Sequence, residues 1–497
     1  MIALAASEAV IDASGVAARI EAMLPSGVRA RQLAVRTLLL GMMITLADGR
    51  PAHLTRVRHA LTALPEDDQR RLGVLTDWKD GPHLLTYRQS EYTFSLVTAA
   101  LGKDQPDGQP SQALQRICDD LLEASVPEEF KHASSSLAVD WSDLESFSRP
   151  PPHGTSDCAD PEASWGHRKN NLLHDEDELF YGWYLSDAIM VPDEQGAPVP
   201  ELARRMTLSS CRHDPVPAFT PVLTAMPAAA IPLGDVLADS GYSHRVPQHW
   251  ATPLRQAGAA LIQDLHPSDR GPRGTHHGAI IAHGNLYCPC TPRQLLGPAP
   301  LSRAATPAQA AQHDAKTAEA ARYKLGRLTA DDADGYHRVQ CPAAAGKIRC
   351  PLRPPSMILD RDRPEILQPP EDPQACCTQQ TITVPAEVGA KTRQKHDYPS
   401  AAWRRSYARR SGAERGFATA KDPASNDTTR GWCRLMGLAP LMLFTATLLA
   451  VRNQRIIAAW DARQEENARR AARGLPPKTR KRRRKTLATL ATLAAPP

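Results

Sequence analysis

The stretch YARRSGAERGFATAK, residues 407–421, places four functional side chains at regular intervals. Tyr407, Arg410, Glu414 and Lys421 follow one another at steps of three, four and seven residues. Because an α-helix has ~3.6 residues per turn, these steps predict that all four side chains share one helical face. A carboxylate between two cations suits an acid that holds a metal ion beside a phosphate backbone. It suits an ion-paired surface helix equally well.

Charge is distributed unevenly along the chain of 497 residues. Residues 391–497 contain 24 Lys and Arg against 7 Asp and Glu, whereas residues 1–390 contain 36 against 47. The basic run KTRKRRRK at residues 478–485 is expected to be a solvated tail that binds phosphates with little sequence preference. A basic carboxyl-terminal part on an acidic body indicates a polyanionic partner, and nucleic acid is the first candidate.

The sequence disfavours secreted and membrane proteins. The amino terminus, MIALAASEAVIDASG, lacks the basic segment of a signal peptide. The longest apolar run, residues 438–451, has about fourteen residues and falls short of the ~20 that span a bilayer. Ten cysteines at irregular positions do not form the framework of a small secreted protein. We therefore expect a cytoplasmic protein whose last helix, residues 432–466, packs against the rest of the fold.

The order of helical and strand patterns predicts a mixed α/β fold. Within the first part, HLTRVRHALTALPEDDQRRLGV at residues 53–74 loosely resembles a helix-turn-helix, although packing or dimerisation would also explain it. The third part is rich in Pro, Gly and Cys, with one helix expected at residues 307–325. We predict five parts: a helical domain (1–130), a first core segment (131–263), an insertion (264–396), a second core segment (397–466) and a basic, disordered tail (467–497).

Three acids occupy positions from which a rigid element can present a carboxylate. Asp140 is expected to end the first strand of the core, and Asp239 to follow a short buried strand at residues 236–238. Glu414 lies on the helix after the insertion. Carboxylate oxygens are ligands for Mg²⁺, and two ions held by such a cluster can promote phosphoryl transfer. Physical chemistry permits this arrangement but does not select these three from 54 acids.

Two motifs in this chain resemble those of the DDE transposases of bacterial insertion sequences. The spacing Tyr-2-Arg-3-Glu-6-Lys of that family is matched without deviation by Tyr407, Arg410, Glu414 and Lys421. Its Asp-x-Gly-Tyr motif is matched by residues 239–242, DSGY, and the strand with Asp140 is a weaker third match. The resemblance covers residues 134–263 and 398–457, and it implies a catalytic core like that of ribonuclease H.

The resemblance further implies a function and a role for each residue. Asp140, Asp239 and Glu414 would hold two Mg²⁺ or Mn²⁺ ions for hydrolysis at the ends of a mobile element and for strand transfer into target DNA. Arg410 and Lys421 would contact DNA phosphates, and Tyr407 would pack or form a hydrogen bond at the same DNA strand. The helical domain at residues 1–130 would bind DNA ends or dimerise. The implied partners are DNA and a second copy of the chain, in the cytoplasm at the nucleoid.

Other functions and other ligands stay open. An inactive or repurposed transposase-derived protein would bind DNA without cutting it, and a structure-specific nuclease would cut without strand transfer. Asp143, three residues past Asp140, would be the ligand in a longer strand. Asp235 is expected to be a loop acid, and Asp214 an N-cap in a His213-Asp214 pair that resembles a metal site. Trp165 lies in a long loop and either packs there or approaches the substrate.

Six of the ten cysteines fall in the insertion. Clustered cysteines in a cytosolic protein bind zinc more often than they form disulfides. The spacings here, however, are not the paired Cys-x2-Cys of a zinc ribbon or finger. The sequence therefore leaves a structural Zn²⁺ as one of two alternatives, with the ligands to come from Cys288, Cys290, Cys341, Cys350, Cys376 and Cys377.

Overall fold

A computed structural model of the chain describes residues 2–25, 31–152, 155, 157–169, 177–297, 300–302, 305–359, 363–422, 428 and 431–478. Two compact units emerge, Met1–Asn453 and Gln454–Pro497. The α-helices are α1 Ile2–Ser14, α2 Val16–Met23, α3 Val35–Ala47, α4 Leu54–Thr62, α5 Glu66–Arg71, α6 Tyr87–Leu101, α7 Gln112–Ala124, α8 Glu128–Lys131, α9 Pro215–Thr224, α10 Ser240–Ser243, α11 Ala251–Gln256, α12 Pro307–Tyr323, α13 Ala375–Thr378, α14 Ala401–Tyr407, α15 Ser411–Ala420 and α16 Leu438–Ala472.

Strands alternate with these helices, and six short 3₁₀ helices join them in the described residues. The strands are β1 Leu75–Trp78, β2 Gly81–Leu84, β3 Ser136–Glu145, β4 Ser164–Lys169, β5 Asp177–Val191, β6 Ala203–Ser210, β7 Asp235–Ala238, β8 Ala260–Gln263, β9 Pro272–His276, β10 Ala279–Ala282, β11 Asn285–Tyr287, β12 Gly326–Arg327, β13 His337–Gln340 and β14 Ile382–Val384. The 3₁₀ helices are Pro227–Ala229, Pro247–His249, Pro267–Asp269, Arg293–Leu295, Pro354–Ser356 and Ala408–Arg410.

The main sheet is mixed, as the sequence predicts. Its strand order is β4-β5-β3-β7-β8, and β6 pairs with β5. β5 runs antiparallel to β3 over ten residue pairs, from Ser136↔Val191 to Glu145↔Gly182. β3, β7 and β8 are parallel to one another. Short apolar strands such as β7, in which all four residues are buried, are typical of a parallel sheet covered on both faces.

Helices cover both faces of this sheet. One face packs under α9, α11 and Tyr242. α15 packs against β3 and β5, and Gly412 permits this close approach because a Cβ there would lie 2.4 Å from Val191 Cγ1. The α/β class with flanking helices is therefore confirmed.

Helix α16 lies partly within the core. Nearly every residue of α16 up to Asn453 is buried, and its apolar residues share one cluster with residues of α1–α4, α6, α7, β5 and β6. We expected residues 432–466 to form this helix, and the observed bounds are Leu438–Ala472. No helix in the described part of the chain is long and apolar enough to cross a membrane.

The amino-terminal part contains a hairpin that the sequence pattern did not predict. β1 and β2 pair antiparallel directly after α5. The segment that resembles a helix-turn-helix forms α4 and α5, but α5 has only 6 residues and begins with three acids. Its cations Arg70 and Arg71 pair with acids of the chain, including Glu66 and Glu8. Acids in the first turn of α5 would repel a phosphate backbone. The helices α4 and α5 are therefore poorly suited to read DNA.

The insertion is more regular than expected. It contains two three-stranded sheets, with orders β11-β10-β9 and β12-β13-β14. We expected one helix at residues 307–325; the described residues contain α12 at Pro307–Tyr323 and the short α13 as well. Such short strands carry too little alternation to be detected from sequence. The basic run at residues 478–485 lies outside the described residues after Lys478.

Candidate active site

Asp239 is held at the carboxyl end of β7 by its own motif. It follows Ala238 directly and caps α10, and its Oδ1 accepts a hydrogen bond of 2.9 Å from the Gly241 N–H. A side chain at Gly241 would collide with Trp141, because a Cβ there would lie 2.3 Å from Trp141 Cη2. Tyr242 is fully buried beside Trp141, with ring centroids 4.7 Å apart. The Asp-x-Gly-Tyr sequence thus fixes the Asp239 carboxylate at the sheet edge.

Asp140 lies in the middle of β3 and not at its end as expected, because pairing with β5 continues to Glu145. It is nevertheless at the sheet edge formed by the parallel strands. The register Leu137↔Val236 and Ala138↔Leu237, continued by two residues, places Asp140 level with Asp239. Burial raises the pKa of Asp140 to about 7, with further contributions from the nearby negative charges, although Arg410 opposes the shift.

Glu414 and Arg410 are close together, but the signature does not lie on one continuous α-helix. α14 ends at Tyr407, a 3₁₀ turn spans Ala408–Arg410, and α15 begins at Ser411. The expectation of one continuous α-helix is therefore wrong, since three helical segments follow one another directly. Glu414 lies in the first turn of α15, where its Oε1 is 2.8 Å from Arg410 Nη1.

Arg410 links the three predicted acids, which we call the carboxylate triad: Asp140, Asp239 and Glu414. Its Nη2 lies 2.7 Å from Asp140 Oδ2 and 3.8 Å from Asp239 Oδ2. Arg410 is largely buried, and its Nε has no hydrogen-bond partner. Burial opposes its charge, but the surrounding acids outweigh this effect and raise the pKa of Arg410. Three elements far apart in sequence thus converge on one guanidinium.

The neighbouring Arg409 belongs to a different group of acids. Its Nη2 lies 2.7 Å from Asp235 Oδ2, and Lys395 Nζ lies 2.9 Å from Asp235 Oδ1. Arg409 also donates to Ser136 Oγ at 3.0 Å. Asp235 is the buried first residue of β7, so the expectation of a loop acid is wrong. Its two cations explain how the chain tolerates this buried charge.

Tyr407 and Lys421 lie near the triad but contact other side chains. Tyr407 stacks on Trp403 with ring centroids 4.6 Å apart, and burial raises the pKa of its hydroxyl. Lys421 follows α15, and its Nζ lies 3.1 Å from Asp143 Oδ1. Arg168 also binds Asp143, at 3.0 Å. Asp143 is therefore held by two cations and does not join the Arg410 cluster.

A buried acid behind the triad escaped the sequence reasoning. Asp187 on β5 is opposite Asp140 in the strand register and is fully buried. Neither of its carboxylate oxygens has a hydrogen-bond partner. Burial raises the pKa of Asp187 well above its ordinary value, and Arg452 only partly offsets this. An acid within the apolar run FYGWYLSDAIMV was the signal that could have revealed it.

The residues of the triad fit a divalent cation in charge and chemistry. Three carboxylates surround the guanidinium of Arg410, so an added cation would relieve their repulsion. With Arg410 among them, their oxygens do not all lie within 4.8 Å of one another. In the described part of the chain, that limit is met only by His244, His266 and Asp269. Coordination of one ion by the triad therefore requires the three carboxylates to move closer together.

Two alternative residues have structural explanations. Asp214 caps α9, since its Oδ1 accepts a hydrogen bond of 3.0 Å from the Val216 N–H, and it also pairs with Arg245. The N-cap expectation for Asp214 is confirmed. Trp165 lies on β4, so its expected place in a loop is wrong; it is exposed on one side and packs edge-on against Tyr181, with ring centroids 5.7 Å apart.

The six cysteines of the insertion form two neighbouring groups of free thiols. The side chains of Cys288 and Cys290 share a hydrogen bond. This hydrogen bond raises the pKa of Cys288 and lowers the pKa of Cys290. The sulfur atoms of Cys376 and Cys377 lie 3.7 Å apart. In the described residues, no three cysteine sulfur atoms lie within 4.8 Å of one another. Zinc in the insertion stays a prediction.

Comparison with known protein families, curated proteins and solved structures found no match to this chain. The functional conclusion therefore depends on the geometry of the triad and on the motifs that build it.

Proposed function

We propose that this protein is a DDE transposase of an insertion sequence, with a ribonuclease H-like core. It would hydrolyse phosphodiester bonds at the ends of its mobile element and transfer those ends into target DNA. The carboxylate triad would be its catalytic and metal-binding group, with Mg²⁺ or Mn²⁺ as the cofactor. DNA and a second copy of the chain would be its partners.

One observation carries this proposal: Asp140, Asp239 and Glu414 lie around the same guanidinium group. They come from a central strand, the end of its parallel neighbour and a helix more than 150 residues further on. The three carboxylates outnumber the single charge of Arg410 at a partly exposed edge. Such an excess destabilises a fold unless a ligand balances it, so it favours a functional role over a structural one.

The arrangement of the main sheet supports the same proposal. β6, β5 and β3 form an antiparallel run that continues into the parallel strands β7 and β8. Residues at the carboxyl ends of parallel strands meet at one edge. α15 brings Glu414 to that edge across β3 and β5.

The chain's own residues would position the DNA. Arg410, released from the acids, can donate two parallel hydrogen bonds to a phosphate. Lys421 would add a second phosphate contact. Divalent ions held by the triad would supply Lewis-acid stabilisation of the charge that develops on the scissile phosphate. Gly241 and Trp141 would keep Asp239 in place while Arg410 moves.

One feature favours a second candidate, a DNA-binding protein derived from a transposase but without catalysis. Arg410 neutralises much of the triad, and a permanent ion-pair cluster would serve the fold alone. The two candidates differ in whether the protein cleaves DNA. Only in the first would cleavage depend on the three acids.

The test is cleavage of duplex DNA that carries the ends of the flanking element, with full-length protein and Mg²⁺ or Mn²⁺. Asp140→Asn, Asp239→Asn and Glu414→Gln should each lower cleavage and strand transfer on the order of 10³-fold while DNA binding persists. Glu201→Gln is the matched control, because Glu201 pairs with Arg415 on the same helix as Glu414 but lies outside the carboxylate triad. Metal-independent binding without any cleavage would favour the second candidate.

The dimer follows from the reaction, since two element ends have to be joined in one complex. Light scattering of the protein with and without end DNA should show two chains per complex. A single chain on paired ends would contradict it.

A further inference from the structure

Two histidines and an aspartate form a compact group outside the carboxylate triad. His244 follows α10, His266 follows β8, and Asp269 ends the 3₁₀ helix Pro267–Asp269. One ligand atom from each side chain lies within 4.8 Å of the other two. In the described residues this is the only such group of His, Cys, Asp or Glu.

Asp269 has one carboxylate oxygen occupied and one free. Oδ1 accepts a hydrogen bond of 2.8 Å from Lys391 Nζ. Oδ2 is buried without a hydrogen-bond partner and lies 3.9 Å from His244 Nδ1. Two bonds of ~2.1 Å to one ion span at most roughly 4.2 Å, so one ion can reach both atoms. Because buried polar atoms are normally satisfied, the free oxygen itself indicates a missing ligand.

The second histidine is held in place by its neighbours. Nδ1 of His266 lies 2.6 Å from Ser268 Oγ, and the rings of His244 and His266 have centroids 4.1 Å apart. Burial and His244 lower the pKa of His266, with Lys391 and Arg270 acting in the same direction and Asp269 opposing them. Nδ1 of His266 also accepts a hydrogen bond of 3.3 Å from the Ser268 N–H, so the contacts with Ser268 fix the orientation of the ring.

We propose that His244, His266 and Asp269 bind a divalent transition-metal ion, with Zn²⁺ as the best match. Two imidazoles and one carboxylate suit zinc, whereas Mg²⁺ prefers oxygen ligands alone. The His244 side chain is 47% exposed, so the remaining coordination positions face solvent and are open to water or to a phosphate oxygen. The site is separate from the carboxylate triad and does not depend on the proposed cleavage reaction.

The test measures zinc bound by metal-free, full-length protein after equilibrium dialysis against Zn²⁺. His266→Ala and Asp269→Asn should each bind one ion fewer per chain than the wild type. Ser268→Ala should keep the ion but bind it about 10–100-fold more weakly. His59→Ala on α4, an exposed histidine elsewhere in the fold, should bind as much zinc as the wild type. Asp239→Asn should also keep the ion, which separates this site from the triad.

Zinc on the cysteines of the insertion would appear in every variant and cancels in the comparison. Anomalous diffraction at the zinc edge from wild-type crystals should place a peak among His244, His266 and Asp269, whether or not a variant folds. Equal zinc content in the wild type and in both ligand variants, or peaks on cysteine sulfur alone, would overturn the proposal.

Discussion

Arg409 and Arg410 are adjacent in sequence, yet they serve two groups of acids with different charge balance. Arg409 shares the buried carboxylate of Asp235 with Lys395, which also binds Glu194, so two cations meet two acids. Arg410 meets the three acids of the carboxylate triad. The first group is neutralised by its own cations, whereas the three acids of the second outnumber the charge of Arg410. This difference separates an ion pair that holds the fold from acids available to bind a cation.

The two groups also lie at opposite ends of the same short strand. Asp235 begins β7 and Asp239 follows its last residue. At the amino end, Lys395 and Arg409 connect β7 to the segments on either side of α14. At the carboxyl end, the acids lie at an edge that DNA could reach. We therefore expect substitutions at the two ends to have different consequences.

The largest effect on stability is expected at the buried end. Asp235→Asn should lower the free energy of unfolding by about 3–5 kcal/mol, because the cations Arg409 and Lys395 would lose their buried partner. Adding Mg²⁺ should not restore the stability that Asp235→Asn loses. Urea denaturation measures the change, with Glu66→Gln as the exposed control at less than about 1 kcal/mol. Equal stability of Asp235→Asn and the wild type would show that this pair does not hold the fold.

The triad should make metal-free protein less stable as the pH rises. Asp140 has a pKa of about 7 in the fold and an ordinary value of 3.8, so the folded state keeps a proton that the unfolded state loses between these values. Stability therefore falls through this window, and above it Asp140→Asn should exceed the wild type by up to about 4 kcal/mol.

Thermal or urea unfolding in the presence of a chelator measures the difference in unfolding free energy between Asp140→Asn and the wild type. The measurement is made at about pH 5 and at about pH 8. Asp143→Asn is the control of opposite sign. Burial alone would raise the pKa of Asp143, but Lys421 and Arg168 outweigh it and lower that pKa, so its charge stabilises the fold. A stability difference between Asp140→Asn and the wild type that does not change with pH would contradict this expectation.

A smaller and metal-sensitive loss is expected at Arg410. Arg410→Met should cost about 2 kcal/mol in a chelator, since Asp239 and Glu414 are partly exposed and water screens their repulsion. Mg²⁺ or Mn²⁺ should restore much of the loss by binding the folded state. Arg409→Met should show no such recovery. Recovery of both variants, or of neither, would remove the distinction between the two groups.

The smallest effect is expected for Lys421, which lies on Asp143 outside the triad. Lys421→Met should weaken DNA binding by about tenfold or less and lower the slope of log affinity against log salt by about 1. Fluorescence anisotropy at several salt concentrations measures both values. An unchanged slope would show that Lys421 makes no phosphate contact.

Local patterns predicted part of this site well. The spacing of four residues between Arg410 and Glu414 gave a contact that the structure contains, at 2.8 Å. The motif of Asp239 and Gly241 predicted an acid directly after a buried strand, and the reason is local, since Gly241 both donates to Asp239 and avoids Trp141. The mixed sheet was predicted because its strands are short, apolar and separated by helical patterns.

Non-local contacts account for what the sequence could not predict. Asp140 is at the sheet edge because β7 stops pairing with β3 there, and register is not visible in either strand alone. The break between α14 and α15 accompanies the contacts of Arg409 with Asp235 and Ser136, which are distant in sequence. The strands of the insertion are too short for alternation to show. Asp187 did leave a signal, an acid inside an apolar strand.

The most direct test compares the two ends of β7 in one cleavage assay. Asp239→Asn and Asp235→Asn are assayed on element-end DNA with Mn²⁺, and each rate is divided by the fraction of folded protein. We predict that Asp239→Asn is fully folded but cleaves on the order of 10³-fold more slowly than the wild type. Folded Asp235→Asn should cleave at nearly the wild-type rate. Wild-type cleavage by Asp239→Asn would contradict the assignment of the carboxylate triad.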